Sequence, residues 1–319
     1  MTIKCLIEIG SNAIKLFIAE IFNNGTVEPI EITRRMTLLA KGLKETGKLS
    51  IESKNQTLMY LEEYIEKCKK YKIDTSNILI NATAACRNAS DGQEFINTIK
   101  KKFDLQNVRI LSGEDESKYT FLGTLKSIET DNESMFYVID IGGGSFQLSI
   151  GTKDNFMYGK SIPIGCNNIA EQFSLKQITT ENNINSAVNY VENYYIEGID
   201  LPKYTLKAFG AGGTIKIIQL MLRSRSDYTS IKYNELINMA HYLAKLNIEE
   251  RLDWFKQKYN DTKFCLDAGL TIERAEIFLA GVCILIGLFK KLSLKEIFLS
   301  KTDAKDYLMS LPNLNTILF

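Results

Sequence analysis

A chain of 319 residues with 39 Lys and Arg against 38 Asp and Glu carries a formal net charge of +1. At roughly 150 residues per domain, the length is a prior for about two domains and leaves ample chain for a core. With 45% hydrophobic and 24% charged residues, disordered and fibrous classes drop out. The balanced charge also argues against a generally cationic nucleic-acid binder. His241 is the lone histidine, so multi-histidine metal sites are excluded and carboxylates, hydroxyls, backbone amides and Lys/Arg remain for chemistry. Cysteines 5, 68, 86, 166, 265 and 283 form no CxxC pair and read as reduced, mostly buried thiols. The N-terminus has Lys4 and Glu8 inside its apolar stretch and no cleavage site for a leader. The longest apolar run, Ile277–Phe289, falls short of the about 20 residues of a membrane span. It reads as a buried core helix. The expectation is a soluble, cytoplasmic protein with neither a membrane nor a nucleic-acid partner; a homodimer stays open.

Strands are expected first, at Ile3–Ile9, Ile14–Ile21 and Val27–Thr33, separated by Gly10-Ser11-Asn12 and Asn23-Asn24-Gly25. Ser50 caps a long helix with Leu58, Leu61, Ile65 and Cys68 on its apolar face. A strand at Asn77–Thr83, a helix starting at Asp91 and a strand at Val108–Leu111 follow. Ser112-Gly113-Glu114-Asp115 has the form of a capping box, which starts another helix. The second half repeats the plan. Strands fit Phe136–Ile141, Phe146–Ile150, Phe156–Ile164, Thr205–Phe209 and Glu296–Leu299. Helices fit Thr180–Ile196, Ile215–Arg223, Tyr233–Leu246 and Glu273–Leu292. This is an α/β pattern of two similar halves.

The repeat is visible in the residues. Ile7-Glu8-Ile9-Gly10-Ser11-Asn12 precedes the alternation Ile14, Leu16, Ile18, and Ile139-Asp140-Ile141-Gly142-Gly143-Gly144-Ser145 precedes Phe146, Leu148, Ile150. A third glycine loop, Phe209-Gly210-Ala211-Gly212-Gly213-Thr214, follows a strand and opens a helix. Glycine turns let successive N–H groups point into one concavity and hold an anion. Glu8 and Asp140 stand just before the two turns, where a pair of carboxylates would hold Mg²⁺ or another divalent cation against phosphate oxygens. A single glycine hairpin is commonly only a turn. Two with carboxylates at the same offset favour phosphate chemistry.

These stretches are similar to the exopolyphosphatase / guanosine pentaphosphate phosphohydrolase family of the sugar kinase–Hsp70–actin superfamily. The resemblance runs through Glu8-Ile-Gly-Ser-Asn-Ala-Ile-Lys15, Gly42–Ser50, Asn81-Ala-Thr-Ala-Ala-Cys-Arg-Asn88 and Leu111-Ser-Gly-Glu-Asp-Glu-Ser-Lys118. It continues through Asp140–Ser145, Gly210–Thr214 and Arg274-Ala-Glu276, in the family's order. It implies an α/β fold of two actin-like (ribonuclease H-like) domains with an interdomain cleft: residues 1–124, joined by a C-terminal helix at 303–319, and residues 125–302. The chain ends where longer members add a helical extension, so a short two-domain form is expected.

By the same resemblance Glu116 is the catalytic glutamate, with Glu114 and Asp115 as competitors that the helix dipole alone would also favour. Arg87 is a phosphate-binding arginine, its planar fork suited to phosphate oxygens. Ser11, Asn12, Lys15, Gly142, Gly143, Gly144, Ser145, Gly212, Gly213 and Thr214 bind phosphate; Asp140 and Glu8 are the metal-site acids. Departures from the family are Glu8 for Asp, Lys15 for Arg, and Thr302-Asp-Ala-Lys-Asp-Tyr307 for Gly-Leu-Arg-Glu-Gly. Lys69-Lys70 and Lys100-Lys101-Lys102 read as solvated helix faces. His241 and Trp254 are expected to pack, and Cys86 to be a small core residue. The activity implied is hydrolysis of terminal phosphoanhydride bonds, on polyphosphate first and a guanosine phosphate (pppGpp) second. The contrasting class is a non-catalytic binder of either ligand.

Overall fold

The computed structural model describes residues 1–129, 132–196, 198, 206–222, 230–259 and 270–311. Cys265, Thr205, Arg223 and the 312–319 part of the expected C-terminal helix lie outside them. The chain divides into two compact units, residues 1–126 with 302–319, and residues 127–301.

In the first unit β1 (Thr2–Ile9), β2 (Ala13–Ile21), β3 (Val27–Met36), β4 (Ile78–Ala82) and β5 (Val108–Ile110) form one sheet in the order β3-β2-β1-β4-β5. The β1–β2–β3 ladder is antiparallel, whereas β1–β4 and β4–β5 are parallel. Both faces of the central strands are covered, which is why they read as near-continuous apolar runs. Cys5, Ile7, Ile9, Leu16, Ile18 and Ile80 meet Leu61 and Tyr64 of the helix Ile51–Lys70 and Phe95 and Ile99 of the helix Gly92–Phe103. On the other face Leu6, Phe17 and Leu79 meet Tyr119 of the helix Gly113–Leu125 and Leu308 and Met309 of the helix Ala304–Ser310. Ser50 caps its helix through Ser53 N at 3.1 Å. Asp91 precedes its helix without capping it; its carboxylate takes Leu49 N–H at 2.9 Å and Lys54 Nζ at 2.9 Å.

The second unit repeats that sheet. Strands β6 (Phe136–Ile141), β7 (Phe146–Gly151), β8 (Phe156–Ile162), β9 (Lys207–Ala211), β10 (Ser230–Lys232) and β11 (Glu296–Leu299) run in the order β10-β11-β9-β6-β7-β8. Read from the other edge, β8-β7-β6-β9-β11 matches β3-β2-β1-β4-β5, with the same antiparallel and parallel pairings. The antiparallel edge strand β10 is an addition. The strand expected over 156–164 stops at Ile162, because Pro163 has no N–H to continue the ladder. The helix Ile272–Lys291 is buried from Arg274 to Phe289, as its apolar run implies. No helix among the described residues is long and apolar enough to cross a membrane.

Five described cysteines, 5, 68, 86, 166 and 283, are free and buried. Burial pushes the Cys86 thiol up to about 12, so it packs as a small hydrophobe. Trp254 packs against the core, but His241 does not: its side chain is half exposed, with Nε2 3.9 Å from Glu181 Oε1. The apolar face of its helix is carried by Leu236, Met239, Ala240 and Leu243 instead.

Arg251 is the least expected core residue. Fully buried, it donates from Nη1 to the carbonyls of Leu175 (2.9 Å) and Lys176 (3.1 Å) and from Nη2 to Gln177 O (2.9 Å). Burial pulls its guanidinium down to about 10. One planar fork thereby ties the segment 175–177 to the helix Ile248–Tyr259. Arg251→Met strands these carbonyls, and the loss should be about 3 kcal/mol, roughly 10 °C in Tm, measured by thermal denaturation. A shift under 2 °C would show that water replaces the fork.

Candidate functional site

In the first unit three candidate segments sit at the carboxyl ends of the parallel strands β1, β4 and β5, the end where open α/β sheets take ligands. They are the Gly10–Asn12 turn, the short helix Ala84–Asn88 and the start of the helix Gly113–Leu125. Gly10 N–H donates to Ala13 O at 3.0 Å and closes the turn. Ser11 O accepts from Ala40 N at 2.9 Å, and Asn12 O from Thr37 N and Leu38 N at 2.9 and 3.0 Å. The turn's carbonyls are thus taken up by protein. Ser11 and Asn12 are both buried.

Arg87 and Glu116 are brought together. Arg87 Nη1 donates to Glu116 Oε2 and to Leu111 O, each at 2.9 Å, with both side chains about a fifth exposed. The three neighbouring acids sort themselves. Glu114 is exposed. Asp115 serves the helix start: its N–H gives to Ser112 Oγ at 3.0 Å and its carboxylate accepts from that hydroxyl at 2.7 Å. Only Glu116 turns to Arg87. Glu8 and Lys15 also meet, Oε2 to Nζ at 3.2 Å, as directly opposed residues of β1 and β2. A hairpin closed at residues 10–13 dictates this partnership, so the turn itself was a readable signal for it.

The second unit builds the same turn. Gly142 N–H donates to Ser145 O at 2.8 Å, while Gly142 O and Gly143 O accept from Cys166 N and Asn167 N at 3.0 and 2.9 Å. These last donors open the helix Cys166–Gln172, which sequence patterning missed. Among the described residues, the amides of Gly143 and Gly144 go to no backbone carbonyl. They are available to an anion. Gly165 has no room for a side chain, because a Cβ there would fall on the backbone of Gly143 and Gly144.

Asp140 faces the third loop. Gly212 has φ +77°, and a Cβ on it would overlap the Asp140 carboxylate. Asp140 and Gly212-Gly213-Thr214 therefore share one small region with the 142–145 turn. Arg274 lies behind it, 7% exposed, with Nη1 donating to Thr214 Oγ1 at 3.1 Å and Nε buried without a partner. Burial lowers the Arg274 guanidinium from the ordinary arginine range, opposed by the nearby Cys166 and Asp140. Gln147, opposite Asp140 on β7, donates to Ser145 Oγ at 3.1 Å and Ser161 Oγ at 3.2 Å. Neither Arg274 nor Gln147 was assigned a role from sequence; the signal for Arg274 was its place in the Arg274-Ala-Glu276 stretch.

No group of three or more His, Cys, Asp or Glu side chains converges among the described residues. Mg²⁺ commonly takes one or two carboxylates and completes its shell with water and substrate phosphate. Asp140, beside the available amides, fits that role in the second unit; in the first unit Glu8 is paired with Lys15.

Gly212→Ala places a methyl group on the Asp140 carboxylate and an L-residue at positive φ, which alone costs about 1–2 kcal/mol. Tm should fall by several degrees. Gly213→Ala meets only Arg274 Nη2, at 3.5 Å, and should leave Tm nearly unchanged. Equal melting of the two variants would refute the Asp140–Gly212 packing.

A model of the Ppx/GppA phosphatase family matches residues 17–306. A putative exopolyphosphatase of Haemophilus influenzae is 26% identical over 294 residues, 89% of this chain and 83% of that protein. A guanosine-5'-triphosphate,3'-diphosphate pyrophosphatase of Aliivibrio fischeri is 28% identical over 92% of this chain but 56% of its own length. A bifunctional 3-dehydroquinate synthase/phosphatase of Fusobacterium nucleatum is 28% identical over 89% of this chain and 42% of its own. The chain thus spans about half the length of these last two relatives. In fold, it is similar to the Aquifex aeolicus Ppx/GppA family member (TM-score 0.76, 23% identity, 97% of this chain and 96% of that one). It is also similar to a Cytophaga hutchinsonii exopolyphosphatase (TM-score 0.81, 20% identity, with the same coverage). The two matching sheets are therefore those of the actin-like fold, and the chain belongs to the Ppx/GppA phosphatase family.

Proposed function

We propose that the chain hydrolyses terminal phosphoanhydride bonds, with inorganic polyphosphate as first substrate and pppGpp as second. The observation that carries this reading is the Arg87–Glu116 pair at the carboxyl ends of β4 and β5. The names of two relatives, an exopolyphosphatase and a guanosine phosphate pyrophosphatase, support the same bond type.

In this reading Glu116 orients the attacking water. A carboxylate is a weak base, adequate to align water on a phosphorus whose charge is spread over its oxygens. Arg87 fixes the Glu116 carboxylate through Nη1 and brings a positive charge toward a phosphate oxygen. The 142–145 turn offers the amides of Gly143 and Gly144 to phosphate, and the helix start at Gly212 adds its dipole. Asp140 would hold Mg²⁺, which when bound neutralises phosphate charge. A binder without turnover is the second reading, favoured by the engagement of Glu8 with Lys15.

Phosphate release from long-chain polyphosphate, pppGpp and ATP, with and without Mg²⁺, decides between them. Release from ATP alone would move the chain to the ATPase branch of the fold. Glu116→Gln should lower kcat by about 10²–10⁴-fold and leave binding intact. Glu114→Gln and Asp115→Asn should keep most turnover, the latter losing only a cap. If Asp115→Asn abolishes turnover and Glu116→Gln does not, the catalytic assignment is wrong. Arg87→Ala should weaken polyphosphate binding by about 2–4 kcal/mol, measured by calorimetry, and lower Tm by a few degrees as Glu116 and Leu111 O lose their donor. Unchanged affinity would reduce Arg87 to a structural partner of Glu116.

A further inference from the structure

We propose that Gln147 is a positioning residue of the second unit: its amide occupies the Ser145 hydroxyl oxygen and so turns the hydroxyl hydrogen to a phosphate oxygen held at the 142–145 turn. The proposal rests on the phosphoanhydride reading above.

Strand register places Gln147. On β7 it opposes Asp140 on β6 and Ser161 on β8, so the three side chains share one face of the sheet. Ser145 is fixed by the turn itself, where its carbonyl accepts from Gly142 N–H at 2.8 Å. Both side chains are buried, Gln147 3% and Ser145 4% exposed. The Gln147 amide has two hydrogens to give. One goes to Ser145 Oγ at 3.1 Å and the other to Ser161 Oγ at 3.2 Å. Neither is left for Asp140.

A serine hydroxyl that accepts from an amide still has its own hydrogen to donate. Among the described residues Ser145 Oγ makes no other hydrogen bond, so that hydrogen has no acceptor there. A buried donor left unmade is costly, and a phosphate oxygen held by the neighbouring Gly143 and Gly144 amides would accept it. Without Gln147 the hydroxyl is a free rotor, able to accept or donate in any direction. The first unit supplies the contrast. Lys15 opposes Glu8 there as Gln147 opposes Asp140, and that pair meets at 3.2 Å with Lys15 half exposed. A cation at this register is drawn to the carboxylate; a neutral amide buried between two serines is not. Gln147 thus serves the hydroxyl and does not neutralise Asp140.

Calorimetric binding of imidodiphosphate, whose P–N–P bridge resists hydrolysis, tests this in the presence of Mg²⁺, with folding checked by thermal denaturation. Ser145→Ala should raise Kd about tenfold, since a hydrogen bond to a charged group is lost. Gln147→Met keeps the length and removes both donors. It should raise Kd about three- to fivefold in the parent and add nothing in the Ser145→Ala chain. A packing role would give the same loss in both backgrounds. Gln147→Glu is the second variant, because it preserves the volume of the site should Gln147→Met fail to fold. Its carboxylate accepts from the hydroxyl, so its loss should be about threefold larger in the parent than in the Ser145→Ala chain. No effect of the Gln147 variants, or full additivity with Ser145→Ala, overturns the proposal, as does a parent that binds no imidodiphosphate. A parent that binds imidodiphosphate but releases no phosphate from polyphosphate, pppGpp or ATP sinks the hydrolase reading alone. The binding cycle then still decides the role of Gln147.

Discussion

Parallel pairing is the constraint from which the rest of each unit follows. Two parallel strands cannot be joined by a tight turn; the chain must cross over and return to the same starting end. In the first unit β1, β4 and β5 obey this, so whatever follows each strand is delivered to one end of the sheet. The glycine turn, the helix bearing Arg87 and the helix bearing Glu116 are those three deliveries. In the second unit β6 and β9 do the same for the 142–145 turn and the Gly212 loop. Residues scattered over a hundred positions become neighbours because of strand direction, before any of their own chemistry acts.

The second requirement is backbone polarity. A turn presents amides to a ligand only if its carbonyls are satisfied elsewhere, since carbonyl oxygens facing a phosphate would repel it. Both turns solve this alike. Protein N–H groups from the 37–40 segment occupy the carbonyls of Ser11 and Asn12, and those at the head of the Cys166 helix occupy Gly142 and Gly143. The repeat thus extends below strand order to individual hydrogen bonds: Gly10 to Ala13 in one unit, Gly142 to Ser145 in the other.

Much of this was legible in the residues. Alternation of Ile and Leu with turn-forming Gly and Asn marked the strands, and the ordered motifs marked Arg87 and Glu116. What escaped did so for physical reasons. The strand Ser230–Lys232 is too short to show a period, and the helix Cys166–Gln172 starts at Gly165 without a capping side chain. Arg251 looks like any surface arginine, because its burial depends on carbonyls at 175–177 that only the fold brings near. His241 erred the other way, lying on an amphipathic helix but on its wet side. The resemblance had chosen Glu116 over Glu114 and Asp115; the fold adds that, of the three, Glu116 is the one paired with Arg87.

The contact between Asp140 and Gly212 has an evolutionary consequence. Neither position can drift alone. Any side chain at 212 must displace the carboxylate, and that displacement removes the acid beside the amides of the 142–145 turn. A route through sequence space that enlarges residue 212 first passes through a strained intermediate; one that shortens residue 140 first passes through a chain without the carboxylate that Gly212 packs against. The two residues behave as a single inherited character, so a lineage that has abandoned one is free to abandon both.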